Sequence, residues 1–211
     1  MTSGEIYFQL LLYSMGVLIM PAGAVLTIKA GLGAGGCDAL YFALSDTFHI
    51  PVSFSIWSFA ILVVAVTALI RRQFPRVTTF LTAVISGSAT EFWKWIFQDV
   101  HSNQLISQML IFAIGLLIIS ICVASYITCV FPANPTDDLI VALQEKGVRV
   151  RLSKVCLDIV CMIIAFVMGG EIGVGTIVCT FGLGLLVDFF QRVLIRGSKK
   201  HLHIELIPKT R

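Results

Sequence analysis

Asp38 and Asp137 stand at matching places in this 211-residue chain. Asp38 ends the stretch Gly31-Leu-Gly-Ala-Gly35-Gly36-Cys37, and Asp137, with Asp138 beside it, follows Asn134-Pro135-Thr136. Each opens a short apolar segment, 38–48 and 137–146, that reads as a helix with the aspartate at its N-cap. About a dozen residues at ~1.5 Å each fall well short of a hydrocarbon core of ~30 Å, so neither helix spans a bilayer. Two readings stay open. In one, the aspartate only caps its helix. In the other, Gly35 and Gly36 let the backbone approach a solute, while Asn134, Asp38, Asp137 and Asp138 offer polar partners beside free helix N–H groups.

Glu91, Asp158 and Asp188 fall within or near the ends of long apolar runs. An unpaired charge at a bilayer centre costs roughly 2.5 kcal/mol or more, so such residues pair, reach the interface or serve a solute path. Pairing is geometrically easy for Asp158 with Lys154, for Asp188 with Arg192 and for Glu91 with Lys94, each three or four residues apart. These three acids complete the candidate substrate-binding set.

Catalysis and fixed cofactors find no support. No Gly-x-Ser-x-Gly, His-Glu-x-x-His or phosphate-binding Gly-x-x-x-x-Gly-Lys motif occurs. The six cysteines, Cys37, Cys122, Cys129, Cys156, Cys161 and Cys179, show no metal-ligand spacing and read as free thiols. His201 and His203 sit in a tail that reads as a short strand or disorder rather than a metal site. We expect no enzyme, no cofactor and no bound metal.

The elements that must hold these acids are membrane helices. The chain is 57% hydrophobic and 13% charged, with a mean hydropathy of +0.94, far from the composition of soluble domains. Apolar runs at 6–29, 52–70, 77–97, 105–130, 153–169 and 175–194 are the expected spans. Residues 1–5 carry no basic residue and no small-residue cleavage site follows, so no cleaved signal peptide is expected. The formal charge of +3 does not point to nucleic acid, because the basic residues fall between spans without aromatic interleaving. Of the 15 Lys and Arg, all but Lys29 and Lys94 fall on one side when spans alternate. By the positive-inside rule that side, with both termini, is cytoplasmic.

The chain is also written twice. Residues 8–44 align without a gap to 107–143, pairing Gln9 with Gln108, Gly16 with Gly115 and Asp38 with Asp137. Further on, Gly87 and Glu91 lie over Gly184 and Asp188. Each half holds three spans, an odd number, so the second half enters the membrane from the opposite side. The fold class is therefore an all-α membrane protein: six transmembrane helices as an inverted three-helix repeat, with a short non-spanning helix after spans one and four. Residues 1–211 form one transmembrane domain, with repeats at about 6–97 and 105–194 and a cytoplasmic tail at 195–211.

At Ala30-Gly-Leu-Gly-Ala-Gly-Gly-Cys-Asp38-Ala-Leu, at Asn134-Pro-Thr-Asp137-Asp-Leu and at Gly173-Val-Gly-Thr176 with Gly182-Leu-Gly184 and Asp188, the chain resembles the YitT/YczE-type family of bacterial multi-pass membrane proteins. Members of that family commonly show Pro-Trp-Asp or Pro-Arg-Asp where this chain has Gly36-Cys37-Asp38 and Pro135-Thr136-Asp137. The resemblance implies a bacterial membrane location and carries over neither a substrate nor catalytic residues.

Together these features lead to a small secondary transporter or facilitator in the bacterial cytoplasmic membrane, with the lipid bilayer and a small solute or ion as partners. A homodimer through Gly- and Ala-rich lateral faces is compatible with it. The competing expectations are the substrate-capture subunit of an ATPase-coupled vitamin transporter and a non-transporting scaffold that assists a cytoplasmic enzyme. The topology is directly testable. Tags at both termini, and single cysteines placed between Arg71 and Arg76, should report the cytoplasm; an external readout from any of them contradicts the inverted repeat.

Overall fold

In a computed structural model, residues 3–101, 104–129, 131 and 134–201 are described. They form eight α-helices and no strand: α1 (Ser3–Lys29), α2 (Gly36–Phe48), α3 (Val52–Arg71), α4 (Val77–Ile96), α5 (Leu105–Ile127), α6 (Pro135–Glu145), α7 (Val150–Val167) and α8 (Val174–His201). A helix stands at each of the six expected spans, and the two short helices lie between them as the sequence predicts. Four helices contain segments long and apolar enough to cross a membrane: Ile6–Lys29, Val52–Arg71, Leu105–Ile127 and Val174–Arg196. The other two long helices are more polar. Thr, Ser, Gly, Glu91 and Lys94 dilute α4, and Arg151, Lys154 and Asp158 interrupt α7.

Backbone chemistry sets the ends. His49 and Arg72 take left-handed dihedrals that stop α2 and α3. Gly33, at φ +95°, turns the link between α1 and α2 back onto the start of α8. There the Gly175 N–H donates to the Leu32 carbonyl at 2.7 Å. A Cβ at Gly33 would collide with Gly173 and Thr176, so this link tolerates no side chain.

α1 and α5 make the most extensive contact of the molecule. A Cβ placed on Gly16 would lie 2.9 Å from the Cys122 carbonyl oxygen, and one on Gly115 would lie 2.8 Å from that of Gly23. The absence of those two side chains lets the helix backbones touch. Val17, Ala24, Ile119, Val123 and Tyr126 close over the seam, together with Val187 of α8. The remaining helices add in matching pairs. α1 meets α4 as α5 meets α8, α2 meets α7 as α6 meets α3, and α2 meets α8 as α6 meets α4.

Polarity runs opposite to that of a soluble protein. Thr27, Ser55, Ser120, Thr128 and Thr176 are wholly buried, while Leu69, Ile106, Phe166 and Val174 are mostly exposed. The buried hydroxyls are held largely by their own helices, as where Ser120 donates to the Leu116 carbonyl at 2.6 Å. The exposed aliphatic surface suits lipid, where an apolar side chain outside costs nothing.

Two local expectations change. Neither Asp38 nor Asp137 is an N-cap. Gly35 (φ −56°, ψ 148°) and Asn134 (φ −58°, ψ 152°) hold those positions without a side-chain cap bond, and each aspartate sits at the third helical residue. Backbone bonds from Ala39 N to Gly35 O and from Asp138 N to Asn134 O begin the two helices, so no carboxylate is needed there. The tail from 195 continues α8 as helix to His201, and His203 lies outside the described residues.

The α1–α5 seam yields a stability prediction. Gly115→Leu and Gly16→Leu should each lower stability by about 1–3 kcal/mol, the usual cost of overpacking, seen as a fall in the midpoint of thermal unfolding in detergent. An unchanged midpoint in both would mean that the two backbones do not meet as described.

Candidate functional site

One cavity of about 270 Å³ lies in the middle of the bundle, and every one of the eight helices contributes to its wall. Its size falls near the small end of the ~300–1,000 Å³ usual for small-molecule pockets. Most of the wall is apolar, from Met20 and Pro21 of α1, Phe59 of α3, Ile119 of α5 and Leu183 of α8. The first turns of α2 and α6 face it, bringing Gly35 with Asp38 and Asn134 with Asp137 to one space. Asp158 and Lys154 reach it from α7, and Asp188 from α8. Four carboxylates against the single ammonium of Lys154 leave the described wall with an excess of negative charge.

The four acids are not alike. Asp158 is buried and pairs with Lys154 at 3.4 Å, one turn apart as the sequence spacing suggests. Asp137 accepts the Tyr126 hydroxyl hydrogen, a contact that ties α6 to α5. Asp188 is the most exposed of the set, and no ion pair with Arg192 forms among the described residues. Asp38 has neither a hydrogen bond nor an ion pair among the described residues. The charges that act on it are Asp158, which repels it, and Lys154, already held by Asp158.

Three further sequence candidates fall outside the cavity wall. Asp138 turns the other way, into a clamp on α3. Arg71 Nη1 donates to both Asp138 oxygens at 2.8 and 2.9 Å. Its Nε and Nη2 donate to Glu145 at 2.9 and 3.2 Å, and Arg76 approaches Asp138 at 3.4 Å. The paired bonds to Glu145 have the fork–fork geometry that is the strong form of a charged hydrogen bond. The Arg71 guanidinium holds the Glu145 carboxyl below its usual range. Glu91 accepts the Ser53 N–H at 3.2 Å and so satisfies the start of α3 from α4. Lys94, its expected partner, instead lies over the Phe42 ring at 5.9 Å. Gly36 gives its place to packing, because a Cβ there would strike the Asp158 backbone.

Some site features have no sequence signal. Tyr126, Gln191 and the Arg71 clamp owe their positions to helix pairings far apart in the chain. The same holds for Cys37, whose sulfur sits 3.4 Å from that of Cys161. The thiols are free, as expected, but these two are neighbours. Cys37 also lines the cavity.

The chain is similar to known bacterial proteins along most of its length. It is 28% identical over 186 residues to the protein YyaS of Bacillus subtilis, covering 87% of this chain and 92% of the relative. It is 29% identical over 189 residues to the membrane protein YczE of the same organism, covering 88% and 86%. A protein of Haemophilus influenzae is 31% identical over 93 residues, covering 44% of this chain and 43% of that one. No solved structure matches. The profile of the family of unknown function DUF6198 matches residues 7–192. With an all-helical fold, four helices apolar enough to cross a bilayer and these relatives, the chain is a membrane protein that belongs to the DUF6198 family, of the YczE type.

Proposed function

We propose that this protein is a small secondary transporter or facilitator, built from two inverted three-span halves around one polar site in the cytoplasmic membrane. The observation that carries this reading is the acidic cavity that all eight helices share. A scaffold has no use for a central cavity with an unpaired carboxylate on its wall, whereas a carrier needs one.

The repeat is supported by geometry as well as sequence. Gly16 rests on Cys122 and Tyr126, and Gly115 rests on Gly23 and Thr27. The 99-residue shift that pairs Asp38 with Asp137 exchanges these two contacts residue for residue. The N-cap dihedrals at Gly35 and Asn134 agree to within a few degrees, and the helix pairings survive the same exchange. Inverted halves that meet at a central site allow alternating access, one half rocking against the other. The chain has no nucleotide motif, so the driving force in this reading is a gradient, of the solute or of a coupled ion, or a separate ATPase subunit.

In this reading Asp38 and Asp137 act through charge. Asn matches Asp in shape, and neither side chain caps its helix, so Asp38→Asn and Asp137→Asn should fold and express as the wild type does. A thermal-shift screen of the purified chain against metabolites and ions supplies the solute, because a native-state ligand raises apparent stability. Uptake of that solute into proteoliposomes, normalised to folded protein, should then be lost in both variants and in the double variant. Wild-type uptake in all three would remove these residues from the site.

A further inference from the structure

The cavity leaves three polar needs unmet, and together they describe an occupant. Asp38 presents a carboxylate with no hydrogen bond and no ion pair among the described residues, Lys154 being engaged by Asp158 at 3.4 Å. Asn134 Oδ1 is buried with no donor, while the Nδ2 of the same amide faces the Met20 sulfur at 3.8 Å. Gln191, a residue of the cavity wall, is only 8% exposed, and its Nε2 is buried with no acceptor. Buried polar atoms are nearly always satisfied, so such orphans at a cavity point to a missing ligand.

The missing ligand has the complementary atoms. A cation with N–H groups answers both the Asp38 charge and the Asn134 oxygen. A hydroxyl or carbonyl oxygen answers the Gln191 amide. The rest of the wall is aliphatic and aromatic, with Tyr41 and Phe59 among its members, and matches an apolar body. Other classes fit poorly. An anion meets four carboxylates. A bare calcium-like ion wants about six to eight oxygen ligands, which an apolar wall does not provide. A quaternary ammonium has no N–H for Asn134.

Resting on the reading of this cavity as a solute site, we propose that it binds a small primary ammonium ion whose apolar body carries a hydroxyl or carbonyl oxygen. Lys154, locked to Asp158, is the resident cation, and the ligand supplies the one that Asp38 lacks.

Titration calorimetry on the full chain in nanodiscs, with tyramine and phenylethanolamine as probes, tests this. Both should bind. N,N,N-trimethyltyramine should bind at least about tenfold more weakly, and hydroxyphenylpropionate, the matching carboxylate, not at all. Asp38→Asn should weaken tyramine by about 10- to 150-fold, the worth of one hydrogen bond to a charged group. If neither amine binds, if the carboxylate binds as well as tyramine, or if Asp38→Asn binds tyramine like the wild type, the proposal is overturned. The wild-type ligand series decides even should the variant not fold. Parallel uptake of labelled tyramine into proteoliposomes separates the two claims. Amine binding without transport removes the transporter and keeps the site, whereas transport of another solute without amine binding does the reverse.

Discussion

The seam between α1 and α5 fixes the geometry of everything around it. Lipid gives no hydrophobic reward for bringing two apolar helices together, so association depends on close packing and on small residues that allow it. Gly16 and Gly115 provide that twice over, each taking the backbone of the opposite helix where a side chain would stand. A single such contact would fix one crossing point and leave the helices free to pivot. Two contacts fix both angle and register. Once α1 and α5 are set, α4 and α8 dock on their flanks, and the short helices are enclosed by α3 and α7.

Enclosing the short helices has an electrostatic consequence. The N-terminal turn of a helix carries a partial positive charge that favours a nearby carboxylate by about 0.3–1 kcal/mol, and somewhat more where it is partly buried. For Asp38 and Asp137, at the third residue of α2 and α6, this offsets part of the cost of removing a charge from water, which runs to several kcal/mol. Asp137 gains the Tyr126 hydroxyl and Asp158 gains Lys154. Asp38 gains neither. Asp138, one residue after Asp137, shows what a structural acid looks like in the same helix: two hydrogen bonds from one guanidinium, and no share of the cavity. The contrast between these neighbours separates an acid on the cavity wall from one that braces two helices.

Much of the helix order was legible in the sequence because hydropathy and length report directly on helices in lipid. The glycines and the acids at the short helices were visible too, since polar and small residues are conspicuous against an apolar background. What stayed hidden depends on contacts between distant segments. The spacing of Lys154 and Asp158 on one helix announced their pair, whereas nothing in the sequence places Arg71 against Asp138 or Tyr126 against Asp137. The N-cap assignments to Asp38 and Asp137 failed for a local reason. Gly35 and Asn134 already hold the required extended dihedrals, which moves each carboxylate inward by one turn and toward the cavity. Glu91 was expected beside Lys94 and instead caps a neighbouring helix, a choice that depends on how α3 and α4 pack.

In the proposed carrier the cavity is a compartment that opens to water and not a sealed packing defect. Cys37 lies on its wall and offers a native reporter. A chain in which the other five cysteines are replaced by serine, placed in sidedness-defined vesicles, can be treated with a positively charged, membrane-impermeant methanethiosulfonate from either face. The account predicts that Cys37 is modified from each side, because alternating access exposes the same wall to both. No modification from either side, with the denatured protein fully reactive, would contradict it.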